Sequence, residues 1–177
     1  MTMAHAGWGD PARRTGLPPE AARWLVSRVG PATPSAPAPA PPLPAGRLSA
    51  DQRAALAATG AAVLLDDEAR VRDAAGRSYL DLLALRSGAF DAPDAVVEPT
   101  AEQVGAVLAA CASHGIAVVP FGGGTSVVGG VAPLRGPHDA VVALDLRRLD
   151  RLVALSETDR TATLEAGLRG PEAEALL

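Results

Sequence analysis

The sequence has 177 residues, 48% of them apolar and 20% charged, with aromatics at only 3%. That suffices for a soluble globular domain whose core is built from Val, Leu and Ala. Sixteen basic against 20 acidic residues leave a formal net charge of -4, so no nucleic acid is expected as partner, since such surfaces need a basic patch to displace counterions.

Every basic residue is an arginine. Without lysine there is no Schiff base and no Walker-type phosphate loop. The single Cys111 excludes an intrachain disulfide and a multi-cysteine metal site, and His5, His114 and His138 lack ligand spacing. No metal is expected. The start lacks a secretory pattern, and no stretch is long and apolar enough for a transmembrane segment, so the expected location is cytoplasmic.

In chain order, an N-terminal segment (1–30) carries Gly7-Trp8-Gly9-Asp10 and a short helix from Glu20 to Val29, with Trp24, Leu25 and Val29 on one face. A Pro/Ala-rich linker follows at 31–46. Its seven prolines suit an extended arm with no packed core. The segment 47–93 should hold a helix over Ser49–Thr59, opened by a Ser49/Gln52 capping box and stopped by Gly60. Two short apolar stretches, Ala61–Leu65 and Ser78–Leu83, are expected to pair as strands around Gly76, with Leu82–Leu85 open to a helical turn.

The signal sharpens over 94–177. A strand at Ala95–Val97 ends at Pro99. Thr100 and Gln103 form a second capping box, and Val104, Val107, Leu108 and Cys111 make one apolar helical stripe. His114 and Gly115 end that helix, and a strand at Ile116–Val119 leads into a glycine-rich loop. A strand at Ala140–Leu144, a hairpin pairing Leu152–Leu155 with Thr161–Leu164, and a helix opened by Gly170-Pro171 complete the pattern. That last helix has barely begun at Leu177, from which an incomplete domain is expected.

The loop Pro120-Phe121-Gly122-Gly123-Gly124-Thr125-Ser126 is the most informative feature. Successive N–H groups of a glycine turn can converge on an anion without lysine, and Thr125 and Ser126 add hydroxyls. A phosphate or pyrophosphate cradle and a plain flexible turn are both compatible with the loop alone. It is not a dinucleotide fingerprint, since Val127 takes the third glycine position.

Val96-Val97-Glu98-Pro99-Thr100, the following helix and Pro120 to Val127 together resemble the FAD-binding domain of the vanillyl-alcohol oxidase and p-cresol methylhydroxylase (PCMH-type) superfamily. The narrower likeness is to the alkyldihydroxyacetonephosphate synthases and their bacterial relatives. It is carried by Gly7-Trp8-Gly9-Asp10, by Leu85-Arg86-Ser87-Gly88-Ala89-Phe90, by the glycine loop and by Thr161 to Gly167. The resemblance runs from about Arg47 to Leu177, with Gly7-Trp8-Gly9-Asp10 as an outlier at the N-terminus. It implies an α+β fold, the first subdomain of a PCMH-type FAD-binding domain, truncated before the rest of the flavin site.

In that family the loop wraps the FAD pyrophosphate. Pro120, Phe121, Gly122, Gly123, Gly124, Thr125 and Ser126 match the motif one for one and are the cofactor-binding candidates. Some superfamily members attach the flavin through a histidine in this loop. Thr125 stands at that position here, so noncovalent FAD is expected. No catalytic residue carries over, because those positions lie beyond Leu177. The implied enzyme acts on a small-molecule or lipid-like substrate, an acylated dihydroxyacetone phosphate, whose fatty acid is exchanged for a fatty alcohol at the flavin. The alternatives are an FAD-linked oxidase or dehydrogenase of a 2-hydroxy acid, and a truncated remnant without activity.

Other candidates read as structure. Cys111 is expected in the core, His138 in a solvated loop, and Asp145, Arg147, Arg148, Asp150 and Arg151 on a mixed-charge solvated face. Arg86 is expected to pair with a carboxylate.

Overall fold

The computed structural model describes residues 7–9, 12, 15–32 and 43–177. His5, Asp10 and linker positions 33–42 lie outside the described residues. The first helix, α1 (Pro19–Val29), starts on proline and ends at Gly30, and it buries no residue, so Trp24, Leu25 and Val29 are exposed.

The next helix, α2 (Ala50–Ala58), forms because Ser49 and Gln52 satisfy each other's backbone donors, the expected capping box. The strand β1 (Ala62–Leu64) follows. Its expected partner, Ser78–Leu83, is a helix instead. Ser78 caps α4 (Tyr79–Ser87) in a capping box with Asp81, and Gly88 ends it at a left-handed φ of 74°. A short helix, α3 (Asp67–Arg72), precedes it, with Asp66 accepting from the Ala69 amide. The edge strand β1 pairs with β2 (Ala95–Glu98), antiparallel.

The strand β2, helix α5 (Val104–Ser113) and strand β3 (Ile116–Phe121) form the expected strand–helix–strand unit. The expected capping box of α5 is only half made: the Gln103 side chain accepts from the Thr100 amide, while the helix proper starts at Val104. Strand β4 (Ala140–Asp145) inserts between β2 and β3, parallel to both, giving the order β1-β2-β4-β3. The hairpin β5 (Leu152–Ser156) and β6 (Thr161–Leu164) is antiparallel, as expected, and α6 (Gly170–Leu176) follows.

The sheet buries both faces. Ala95 and Val97 of β2, Ile116 of β3, and Ala140, Val142 and Leu144 of β4 pack with Leu48, Leu56, Val107 and Cys111. The alternate residues Val96, Phe121 and Ala143 meet Ala69 on the other side, as the two-residue period of a strand requires. The α5 stripe is narrower than its spacing suggests. Val107 and Cys111 are fully buried, but Leu108 is 45% exposed. A short helix lying over only three parallel strands presents one ridge to them and leaves its flank open.

Candidate functional site

The parallel strands β3 and β4 end side by side, with Phe121 in register with Asp145. Ligands of open α/β sheets gather at such carboxyl ends, and the glycine loop leaves β3 there. Pro120 and Phe121 complete the strand, and the Phe121 ring is buried in the second core cluster. Gly122, Gly123 and Ser126 are half-buried, Gly124 is buried and Thr125 is exposed.

The three glycines answer to different constraints. Gly124 has φ 67°, and a side chain there would press on the Phe121 ring at 2.9 Å. A Cβ on Gly122 would meet the Ala166 carbonyl at 2.9 Å. Gly123 has no positive φ, and its Cβ direction points at the flexible side chain of Arg169, 3.3 Å away. Fold therefore dictates glycine at 122 and 124. At 123 the fold tolerates more, so a ligand approaching the backbone remains as a reason for its glycine.

Among the hydrogen bonds formed by the described residues, none uses the amide of Gly122, Gly123, Gly124, Thr125 or Ser126. Buried and half-buried amides without acceptors are costly, and here they run from Gly122 to Ser126 with only Thr125 exposed, a stretch of donors of the kind that can receive an anion. Arginine surrounds them. Arg169 lies over Gly123, and the Arg77 amide donates to the Ser126 carbonyl at 2.6 Å. Burial and the nearby Arg169 pull the Arg77 guanidinium below its ordinary value, against Asp81. The Arg77 guanidinium donates to the Ala75 and Gly76 carbonyls at 3.1 and 2.7 Å. The residues present thus fit the phosphate end of FAD. A cleft of about 460 Å³ opens beside Arg169, lined also by Arg147, Gly167 and Glu172.

Residues 93–177 match the family described as an FAD binding domain. Over 120 residues, 65% of this chain and 19% of the relative, the sequence is 36% identical to an alkyldihydroxyacetonephosphate synthase of Trypanosoma brucei brucei. A probable mitochondrial D-lactate dehydrogenase of Danio rerio is 36% identical over 77 residues, 43% of this chain and 15% of the relative. Among solved structures, an alkyldihydroxyacetonephosphate synthase superposes with a TM-score of 0.81 at 21% identity, over 98% of this chain and 38% of that one. The fold is thus that of the PCMH-type FAD-binding domains. The chain spans about a fifth of the length of the curated relatives it matches.

The FAD binding segment reaches past the loop. Gly167, the last residue of the Thr161–Gly167 stretch, crosses the turn at 146–149, and its amide donates to the Leu149 carbonyl at 2.8 Å. A Cβ at Gly167 would strike that carbonyl, so the sequence can hold only glycine there.

The mixed-charge patch is partly corrected. Asp145 is buried at the end of β4 and receives Arg147 side-chain and backbone donors, while Arg147 and Arg72 also reach the buried Asp73. Asp150, Arg148 and Arg151 are exposed as expected. Spacing does not reveal this, because Arg72 ends α3 and Asp73 caps it, far from Asp145 along the chain. Arg86 and His138 are exposed, and Cys111 is a core residue whose thiol burial pushes up to about 11. Among the described residues no cluster of metal-ligating side chains occurs, and none of the described helices is long and apolar enough to cross a membrane.

Proposed function

We propose that this chain supplies the pyrophosphate-binding part of an FAD enzyme similar to the alkyldihydroxyacetonephosphate synthases. The observation that carries the proposal is the row of unengaged amides from Gly122 to Ser126 at the carboxyl ends of β3 and β4, in a segment of the FAD binding domain family. In this reading those amides, with the Thr125 hydroxyl, hold the phosphates, and Arg169 offsets their charge. Pro120 and Phe121 fix the loop from below. The bound flavin supplies the chemistry of the reaction, and this chain's residues hold its phosphate end in place.

The substrate of the whole enzyme is proposed to be an acylated dihydroxyacetone phosphate. The same half-site would serve a 2-hydroxy-acid oxidase or dehydrogenase, a reading favoured by the likeness to the D-lactate dehydrogenase over 77 residues. The parts outside this chain would separate the two. Residues 94–177 are proposed as the flavin-binding unit, 47–93 as its supporting edge, 31–46 as linker and 1–30 as an N-terminal segment. FAD is proposed to be noncovalent, because threonine cannot form the histidyl bond, and the protein to be cytoplasmic.

The test is Gly123→Val in the intact protein. A side chain here meets Arg169 Cγ at 3.3 Å, so that side chain must give by a few tenths of an ångström. With folding checked by circular dichroism, the folded variant should lose most bound flavin, read from the visible absorbance of purified protein. Wild-type flavin content in the variant overturns the loop's role. Acid precipitation should leave the flavin in the supernatant. Colour kept in the pellet would refute noncovalent binding.

A further inference from the structure

The Gly7-Trp8-Gly9 stretch has no role in the site described so far, yet it lies against it. The Trp8 indole Nε1 donates to the Arg77 carbonyl at 3.1 Å, across 69 residues of sequence. The same Arg77 donates its amide to the Ser126 carbonyl at 2.6 Å, at the end of the glycine loop. One residue earlier, a Cβ on Gly76 would collide with that carbonyl, so glycine is what lets the two backbones come this close. Ser126 Oγ in turn accepts from the Gly130 amide at 3.1 Å. Directly after Arg77, the Ser78/Asp81 box starts α4 and fixes the peptide from its other side.

The Trp8 ring itself is 62% exposed. A tryptophan that anchors a segment by hydrophobic burial hides its ring. Here the ring stays largely in solvent while the N–H finds a backbone acceptor, and that acceptor is the carbonyl of the residue whose amide holds the loop.

We infer that residues 7–9 are a strap behind the glycine loop, and that Trp8 is a positioning residue for FAD binding that touches no part of FAD. The inference rests on the proposed role of the loop. The strap fixes Arg77 from its carbonyl side while its amide holds Ser126, so the row of amides keeps one geometry before the pyrophosphate arrives. Preorganisation of this kind acts on affinity by lowering the cost of ordering the loop.

The experiment compares Trp8→Phe, which keeps a ring and removes the donor, with Trp24→Phe on the exposed α1 and with Gly123→Val, all in the intact protein. FAD is titrated at a temperature where circular dichroism shows every variant folded, and amide exchange is followed in the FAD-free proteins. Trp8→Phe should weaken FAD about threefold to tenfold, the worth of one hydrogen bond. It should speed exchange in 122–130 and leave β4 unchanged. Trp24→Phe should change neither. An FAD affinity of Trp8→Phe equal to wild type, while Gly123→Val loses FAD, overturns the strap alone. Faster exchange in β4 by the same factor as in the loop also overturns it, since that is general destabilisation. Full FAD binding by Gly123→Val removes the loop's role, and the strap inference falls with it.

Discussion

Asp94 has one of the fullest sets of partners among the described side chains. Buried to 1% exposure, it accepts from the Arg47 amide at 3.0 Å, the Val141 amide at 2.7 Å and the Arg135 guanidinium at 2.9 Å. It thereby ties the exit of the linker to the start of β4. Burial opposes its charge, but these donors outweigh burial and hold the carboxyl below the usual range. Asp94→Ala should therefore cost about 2–4 kcal/mol in urea unfolding, because it removes the acceptor of a half-buried guanidinium and of two amides. Asp73 has the opposite sign. Burial and the neighbouring Asp145 raise it to about 6, against Arg72 and Arg147. In the unfolded chain it ionises near pH 4. Its contribution is present in full below that value and is lost as pH rises to about 6. Asp73→Asn should gain stability relative to wild type between pH 4 and pH 7, by on the order of 2 kcal/mol, read from paired denaturant melts. A gain that shrinks over that interval would contradict the raised value.

The elements differ in how far their residues announce them. Ser49 and Gln52 are spaced for a capping box, and α2 begins at the next residue. The hairpin was equally legible, since apolar stretches flank a polar turn that Arg160 closes at φ 53°. Ser78 and Asp81 carry the same cap in shorter form, but the apolar run Tyr79–Leu83 reads as well for a strand, and local pattern could not choose. Tertiary pairing decided it: the partner of β1 is β2, 30 residues on, so Ser78–Leu83 was free to be helical. The capping account predicts that Ser78→Ala destabilises by about 1 kcal/mol in urea melts. No loss would mean that packing of Leu82 and Leu85 alone holds α4.

At the scale of the whole molecule, the parallel unit and the glycine loop were both readable from apolar runs and glycine spacing. What sequence could not convey is which neighbours each glycine serves. Gly123 reads like Gly124, yet only Gly124 takes a left-handed backbone, and the space at Gly123 is bounded by Arg169, 46 residues away. The buried ion cluster was hidden for the same reason, since Asp73 and Asp145 meet only once the sheet has formed. These long-range meetings gather at the carboxyl ends of β2, β3 and β4, where the FAD phosphates are proposed to sit. A crystal structure of the intact protein with FAD tests that placement most directly. The account predicts pyrophosphate oxygens about 2.7–3.2 Å from several amide nitrogens of residues 122–126. Phosphates bound elsewhere, with those amides facing solvent or another part of the flavin, would contradict it.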